Sequence, residues 1–132
     1  MPLEGVVHAL HNIHATLAPG AILVDTQPVS ARPRVASDVV TLGTLDMRAW
    51  LDTIQAVDEL VAETIRMGLY ELQHESRFVV TDTFDDGPEC VEIVDSWRGT
   101  RVPDSVSTQL AATTSQVTVQ QEIRLRLLRS EP

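Results

Sequence analysis

The residues between Asp46 and Gly68 carry the pattern that most constrains how this chain can fold. Apolar side chains recur there every three or four residues, which places them on one face of a helix: Met47, Trp50, Ile54, Val57, Val61 and Ile65. Asp46 is suited to cap the start of this helix, because its carboxylate can accept hydrogen bonds from the free amides of the first turn. Gly68 is suited to the left-handed position that ends a helix. The pattern predicts one long amphipathic helix from Asp46 to about Met67.

The residues before this helix predict three smaller features. A helical pattern over 2–17 ends at a proline-glycine turn. The apolar run 21–25 follows, and a continuous run of this kind is typical of a strand buried on both faces. Two short segments, 34–36 and 39–42, predict a small hairpin.

The residues after the long helix predict two strands with short helices between them. Residues 69–83 alternate as a strand does, and helix starts are indicated at Asp85-Asp86-Gly87-Pro88 and at Pro103-Asp104. The last segment, 117–128, alternates strictly and must be a strand. One of its sides carries Val117, Val119, Gln121, Ile123, Leu125 and Leu127, and the other carries Thr118, Gln120, Glu122, Arg124 and Arg126.

This order of elements predicts an α+β fold, because it lacks a repeating strand-helix-strand unit. We expect a single domain over residues 1–132 with a small mixed sheet. The later strands should return antiparallel in that sheet. One long and several short helices should flank it.

Composition excludes several classes of function. Cys90 is the single cysteine, which rules out an internal disulfide and a cysteine-rich zinc site. Nineteen acidic residues against ten arginines, with no lysine, give a net charge of −9 that would repel nucleic acid. The sequence has no apolar run of membrane-spanning length and no secretory signal pattern. We therefore expect a cytoplasmic protein with no nucleic-acid or membrane partner.

The segment Leu17-Ala18-Pro19-Gly20 followed by the strand Ala21 to Asp25 resembles a known family. In class I S-adenosylmethionine-dependent methyltransferases, a helix ends in a Leu-x-Pro-Gly-Gly turn that starts the fifth strand. Here Ala21 stands where the second glycine would be. The chain resembles more closely the small stand-alone bacterial proteins that look like C-terminal halves of such enzymes.

This resemblance implies a half domain in which the C-terminal strand is antiparallel and central in the sheet. It also implies that the part that holds the methyl donor is missing. In the family a glycine-rich turn approaches the cofactor, and a Cβ atom would prevent that approach. No two of the six glycines here lie within one turn of each other. We therefore expect no cofactor, no catalytic residue and no independent methyltransferase activity.

An accessory or interaction role follows from the same resemblance. The strand at Ile22 to Gln27 would lack its neighbour in the family's sheet and would expose an unpaired edge. We expect that edge to close against a second copy, as a homodimer, or against a partner that supplies the N-terminal half of a methyltransferase.

An alternative function is a small enzyme or ligand-binding protein. Its pocket would lie between the long helix and the sheet, with Trp50, Tyr70, His74 and Trp97 at the walls. His74 would be the possible general base or ligand contact there, or simply a partly buried, hydrogen-bonded residue.

Four other features suggest chemistry, but each has a simpler interpretation. His8, His11 and His14 lie three apart, and at most two of them could share a metal, so a solvated helix face is favoured. The acidic group Asp82, Asp85, Asp86 and Glu89 lacks the spacing of a calcium loop and is explained by helix capping.

Cys90 is favoured as a core residue, because nearby carboxylates disfavour its thiolate. Arg124, Arg126 and Arg129 are interpreted as cross-strand partners of Glu71 and Glu75.

Overall fold

The computed structural model describes residues 18–131, which form five strands and three helices. In chain order they are β1 (Ile22–Pro28), β2 (Arg34–Ser37), β3 (Thr41–Thr44), α1 (Arg48–Arg66), β4 (Tyr70–Phe84), α2 (Gly87–Asp95), α3 (Asp104–Ala111) and β5 (Val117–Ser130). The helix predicted over 2–17, with His8, His11 and His14, lies outside the described residues.

The C-terminal strand β5 is the centre of the sheet. β1, β2 and β4 all pair with β5, and β3 pairs with β2. The predicted hairpin is β2 and β3, which pair antiparallel with Arg34 opposite Thr44. The α+β class and the central, antiparallel C-terminal strand are confirmed. The sheet is antiparallel, whereas a mixed sheet was predicted.

The described residues form two compact units. The first contains 18–27, 53–77 and 124–131, and the second contains 28–52 and 78–123. The core of the first is built on Val61, Tyr70 and Leu128, with Leu23, Val57, Ile65 and Leu69 packed against them. The core of the second is larger, and its buried members are Val35, Leu42, Leu45, Phe84, Cys90, Val94, Val106, Leu110, Val117 and Val119.

Helix α1 has the predicted amphipathic character. Ile54 and Val61 are buried on its inner face, while the charged residues Asp52, Glu59 and Glu63 are exposed. Asp46 stands one residue before the N-cap position, and its carboxylate accepts a hydrogen bond from the Arg48 amide at 3.1 Å. Gly68 has a φ of +79°, and the amide of Leu69 donates to the Thr64 carbonyl at 3.0 Å, as a left-handed C-terminal cap requires. The predicted end of the helix is confirmed.

The acidic residues before α2 act as caps. The Asp86 carboxylate accepts from the Glu89 amide at 2.9 Å, and the Glu89 carboxylate accepts from the Asp85 amide at 2.6 Å. These bonds satisfy the Glu89 amide, which the first turn leaves free, and the Asp85 amide just before the helix. The capping interpretation is confirmed for Asp86 and Glu89, whereas the Asp82 carboxylate accepts from Gln121 Nε2.

Cys90 lies fully buried in the core of the second unit. Burial, with a smaller contribution from the charge of Glu89, raises the pKa of its thiol to about 11. The interpretation of Cys90 as a core residue is confirmed.

The prediction that β1 is buried on both faces is wrong. Ile22 and Val24 are 48% and 56% exposed, while Leu23 between them packs into the core of the first unit. Among the described residues β1 pairs with β5 alone, so β1 is a border strand with one covered face.

The buried face of β5 changes along the strand. Val117, Val119 and Gln121 are buried, but from Arg124 onward the buried residues are the even-numbered ones: Arg124, Arg126, Leu128 and Ser130. The two halves of the strand belong to different units with different cores, so each half buries its own set of side chains. Ile123, Leu125 and Leu127 are only half-buried.

An ionic cluster explains the two buried arginines of the first unit. Arg124 donates to both oxygens of Asp58, at 2.7 and 2.8 Å. Arg126 donates to Asp25 at 2.9 and 2.6 Å and lies 3.2 Å from Asp58. A buried charge is tolerated only when it is paired and hydrogen-bonded. This cluster therefore fastens β1, α1 and β5 to one another within the first unit.

The remaining predicted charge pairs involve the same strand. Arg129 lies 2.7 Å from Glu71, as the cross-strand interpretation expects, and Arg124 lies 4.0 Å from Glu75. The Arg129 pair is largely exposed, and an exposed pair contributes little to stability. The buried cluster is therefore the electrostatic feature that matters for the first unit.

We expect the substitution Asp58→Asn to lower the free energy of unfolding by about 2–3 kcal/mol, because it leaves Arg124 buried without a full counter-charge. Urea denaturation followed by circular dichroism would measure the change. Asp52→Asn on the exposed face of the same helix is the control, with an expected change within about 0.5 kcal/mol. Equal denaturation midpoints for the two variants would show that the cluster does not stabilise the fold.

Candidate ligand-binding site

The second unit contains a cavity of about 330 Å³ between two tryptophans. We call it the indole cavity, and its walls are Pro28, Met47, Trp50, Trp97, Arg98 and Gln121. Four of these six residues are apolar. A largely apolar concavity of this size with a few polar groups is typical of a small-molecule site.

The start of α1 supplies one wall. Met47 and Trp50 are three residues apart, so they lie on the same helical face. The Trp50 indole Nε1 donates a hydrogen bond to the Pro28 carbonyl at 3.2 Å, which fixes the orientation of that ring. The ring therefore presents its apolar surface in one defined position.

The turn after α2 supplies the opposite wall. The Trp97 amide donates to the Val94 carbonyl at 3.0 Å, which continues the end of α2 by one turn. Two further backbone hydrogen bonds of 2.8 Å, between Asp46 and Arg101, tie this segment to the start of α1. The two tryptophans are thus held by backbone bonds and not only by their own packing.

Gly99 permits the close approach of these two segments. It has a φ of +67°, and a Cβ atom there would lie 2.7 Å from the Trp50 amide nitrogen. Both the left-handed conformation and the missing side chain are therefore required. Glycine is the only residue type that fits position 99 without a shift of Trp50.

Gln121 is the buried polar residue of the cavity wall. Its side chain is only 7% exposed, and its Nε2 donates to the Asp82 carboxylate at 3.2 Å. That bond determines which end of the carboxamide is the nitrogen, because a carboxylate accepts only from a donor. The carboxamide Oε1 has no hydrogen-bond partner among the described residues. A buried acceptor without a donor is costly, and such groups are often found where a ligand binds.

The structure brings together two of the four predicted pocket residues. Trp50 and Trp97 line the indole cavity. Tyr70 is instead buried in the core of the first unit, where burial raises its pKa. His74 is exposed on β4. Neither Tyr70 nor His74 is a wall residue of the indole cavity.

The other wall residues of the indole cavity were not predicted from the sequence, although sequence patterns could have indicated two of them. Met47 shares the predicted inner face of the long helix with Trp50. Gln121 stands among the apolar residues of its strand, and a polar residue in such a position needs a partner. No sequence pattern indicates Pro28 or Arg98 as wall residues, since their positions depend on the tertiary fold.

Metal binding has no structural basis in the part of the chain that the structure describes. No group of three or more His, Cys, Asp or Glu side chains there is placed to hold an ion. The chemistry available at the indole cavity is therefore that of its aromatic, amide and guanidinium groups.

We expect Gly99→Ala to disturb the indole cavity, because the new methyl group meets the backbone of Trp50. The strained backbone alone should cost about 1 kcal/mol, and the clash should add to that. Gly68→Ala is the matched control, since Gly68 has a similar φ of +79° but no atom within 4 Å of the added Cβ. Tryptophan emission and thermal unfolding of the two variants would be compared. A red-shifted emission is expected for Gly99→Ala only, and identical spectra would argue against the tight packing described here.

Comparisons with known proteins add no family to this description. No protein-family model matches the sequence, and no curated protein matches it. Within residues 18–131, none of the three helices combines the length and apolar character needed to cross a lipid bilayer.

Proposed function

We propose that this chain is a ligand-binding protein that holds a small, flat, largely apolar molecule in the indole cavity. One observation carries the proposal: Trp50 and Trp97 line the same 330 Å³ cavity, next to a buried glutamine with an unused acceptor. The volume falls at the lower end of the range for small-molecule sites. A ligand of one or two rings suits it.

The wall residues indicate the chemistry of the ligand. Tryptophan rings offer large, rigid apolar surfaces that favour stacking against another planar group. Arg98 is exposed at the wall and has no ion pair among the described residues, so an acidic group on the ligand would find a counter-charge. Gln121 Oε1 is enclosed by the protein, so the ligand is expected to meet the cavity mainly through the two indole rings and Arg98. We therefore expect an aromatic acid.

We expect the purified protein to bind the dye 5-aminonaphthalene-1-sulfonate, a flat two-ring molecule with an anionic group, at one site. The two cavity tryptophans are the only ones in the chain, so their quenching on titration reports directly on this site. Trp97→Ala should weaken binding about tenfold through loss of one aromatic contact, while Trp97→Phe should retain most of the affinity.

Exposed apolar side chains elsewhere provide the control. Leu72 and Phe78 on β4 are 44% and 43% exposed and would attract the same dye if binding were nonspecific. The variant Leu72→Ser is expected to bind as tightly as the wild type. The proposal fails if Leu72→Ser removes binding while Trp97→Ala retains it.

A second function is favoured by the border position of β1. Its paired edge faces β5, and its other edge has no strand partner within residues 18–131, with Ile22 and Val24 exposed. Unpaired apolar edges are commonly covered by another chain. This supports the accessory role that the methyltransferase resemblance implies, in which the chain forms a homodimer or completes a methyltransferase partner.

We expect the chain to elute as a homodimer of twice its 14.5 kDa mass in size exclusion with light scattering at micromolar concentration. Val24→Arg should shift it to the monomer, because a charge at the edge opposes pairing with a second strand. Val39→Arg, in the exposed turn between β2 and β3, should leave the dimer unchanged. A monomeric wild-type chain would contradict homodimerisation, and tight binding of S-adenosylmethionine by the isolated chain would contradict the accessory role.

A further inference from the structure

Three arginines converge on a second depression in the second unit. Its volume is about 190 Å³, and Arg32, Arg48 and Arg101 line it together with Asp46 and Thr44. None of its lining residues belongs to the indole cavity. The arginines come from three separate segments of the chain: the loop before β2, the first residue of α1 and the segment between α2 and α3.

The charge of this depression is opposite to that of the chain. Nineteen acidic and ten basic residues give the whole sequence a net charge of −9. The depression has three positive residues and one negative residue in its lining, which is a local charge of +2. An acidic protein attracts anions only weakly over most of its surface. A concave cluster of arginines is therefore a place where an anion would bind selectively.

Asp46 holds two of the arginines in place. Its carboxylate accepts from Arg48 Nε at 3.0 Å and from Arg48 Nη2 at 2.8 Å, and Arg101 Nη2 lies 3.8 Å away. These hydrogen bonds from Arg48 keep the pKa of Asp46 far below its usual range, so the carboxylate remains charged. The backbone of Arg101 is also bonded to that of Asp46. The Arg48 guanidinium and the Arg101 backbone are thus positioned before a ligand arrives.

Asp46 does not neutralise the cluster. The side chain of Arg101 is 73% exposed, and its Nη2 lies 3.8 Å from Asp46 Oδ2, which is too long for a hydrogen bond. Arg32 is exposed and makes no ion pair or side-chain hydrogen bond among the described residues. Two guanidinium groups therefore retain donors for an incoming anion.

We propose that this depression binds the phosphate group of a small phosphate monoester. A phosphate monoester has a charge near −2 at neutral pH, which matches the local charge of +2. Its oxygens accept paired hydrogen bonds from the planar fork of arginine better than from other cations. A larger groove of about 830 Å³ shares Asp46, Arg48 and Arg101 with the depression and continues along Ala49 and Asp52. That groove holds the organic part of the ester, and Asp52 is its acceptor for a hydroxyl group.

Isothermal titration calorimetry of the full chain with glycerol 3-phosphate at low ionic strength tests this assignment. We expect one site for glycerol 3-phosphate, weaker binding of inorganic phosphate and no binding of glycerol. Arg32→Gln and Arg101→Gln should each weaken the ester about tenfold. Arg66→Gln removes an exposed charge at the other end of α1 and should leave the affinity unchanged.

Several results would overturn the proposal. These are the absence of binding, an equal loss with Arg66→Gln, tighter binding of the dicarboxylate malonate, and binding to phosphatidic acid vesicles without binding of the soluble ester. Because both tested side chains are exposed, the variants should unfold at the wild-type temperature. If one does not, Arg32→Lys keeps the charge and should still lose affinity through loss of the fork. The depression and the indole cavity share no lining residue, so loss of phosphate binding and loss of dye binding are separate results.

Discussion

The first unit depends on the pairing of two buried arginines with two aspartates. Arg124 and Arg126 are 6% and 8% exposed, and an isolated charge at that depth would cost several kcal/mol. Asp58 from α1 and Asp25 from β1 offset this cost only when both elements lie against β5 in the observed register. A slip of β1 by one residue would turn Asp25 to the other face and leave Arg126 without its partner. The apolar core of this unit is small and does not by itself fix the register of β1 and α1 against β5. The ion cluster fixes that register.

Local signals in the sequence predicted most of the elements. The long helix and its glycine end, the hairpin and the acidic caps of α2 follow from short-range physical rules that need few tertiary contacts. The central position of β5 was also predicted, from the resemblance to a half domain and from its strict alternation.

The sequence-based predictions were wrong where the burial of a strand depends on the core that packs against it. Alternation predicts the two faces of β5 but not which face is buried, and here the buried set changes between Gln121 and Arg124. Arg124 and Arg126 were interpreted as cross-strand partners of Glu71 and Glu75, and their burial was not predicted. β1 was judged by its apolar content, although a border strand can expose apolar side chains.

The candidate site shows the same division between local and tertiary information. Trp50 and Trp97 were chosen as pocket residues by type and by helical face, and they do line one cavity. The chain folds them together through Gly99 and the backbone bonds between Asp46 and Arg101, which connect segments far apart in sequence. The same bonds also bring Arg101 beside Arg48, and no short-range rule indicates that meeting. Both candidate sites therefore depend on the contact between the start of α1 and the segment after α2.

The solitary, fully enclosed Cys90 has a practical consequence for any study of self-association. Its sulfur is out of reach of oxidants and of a second chain while the fold is intact. Covalent cross-links formed in air during storage would therefore mark denatured material. Preparations kept without thiol reductants should report the native assembly state without that artefact.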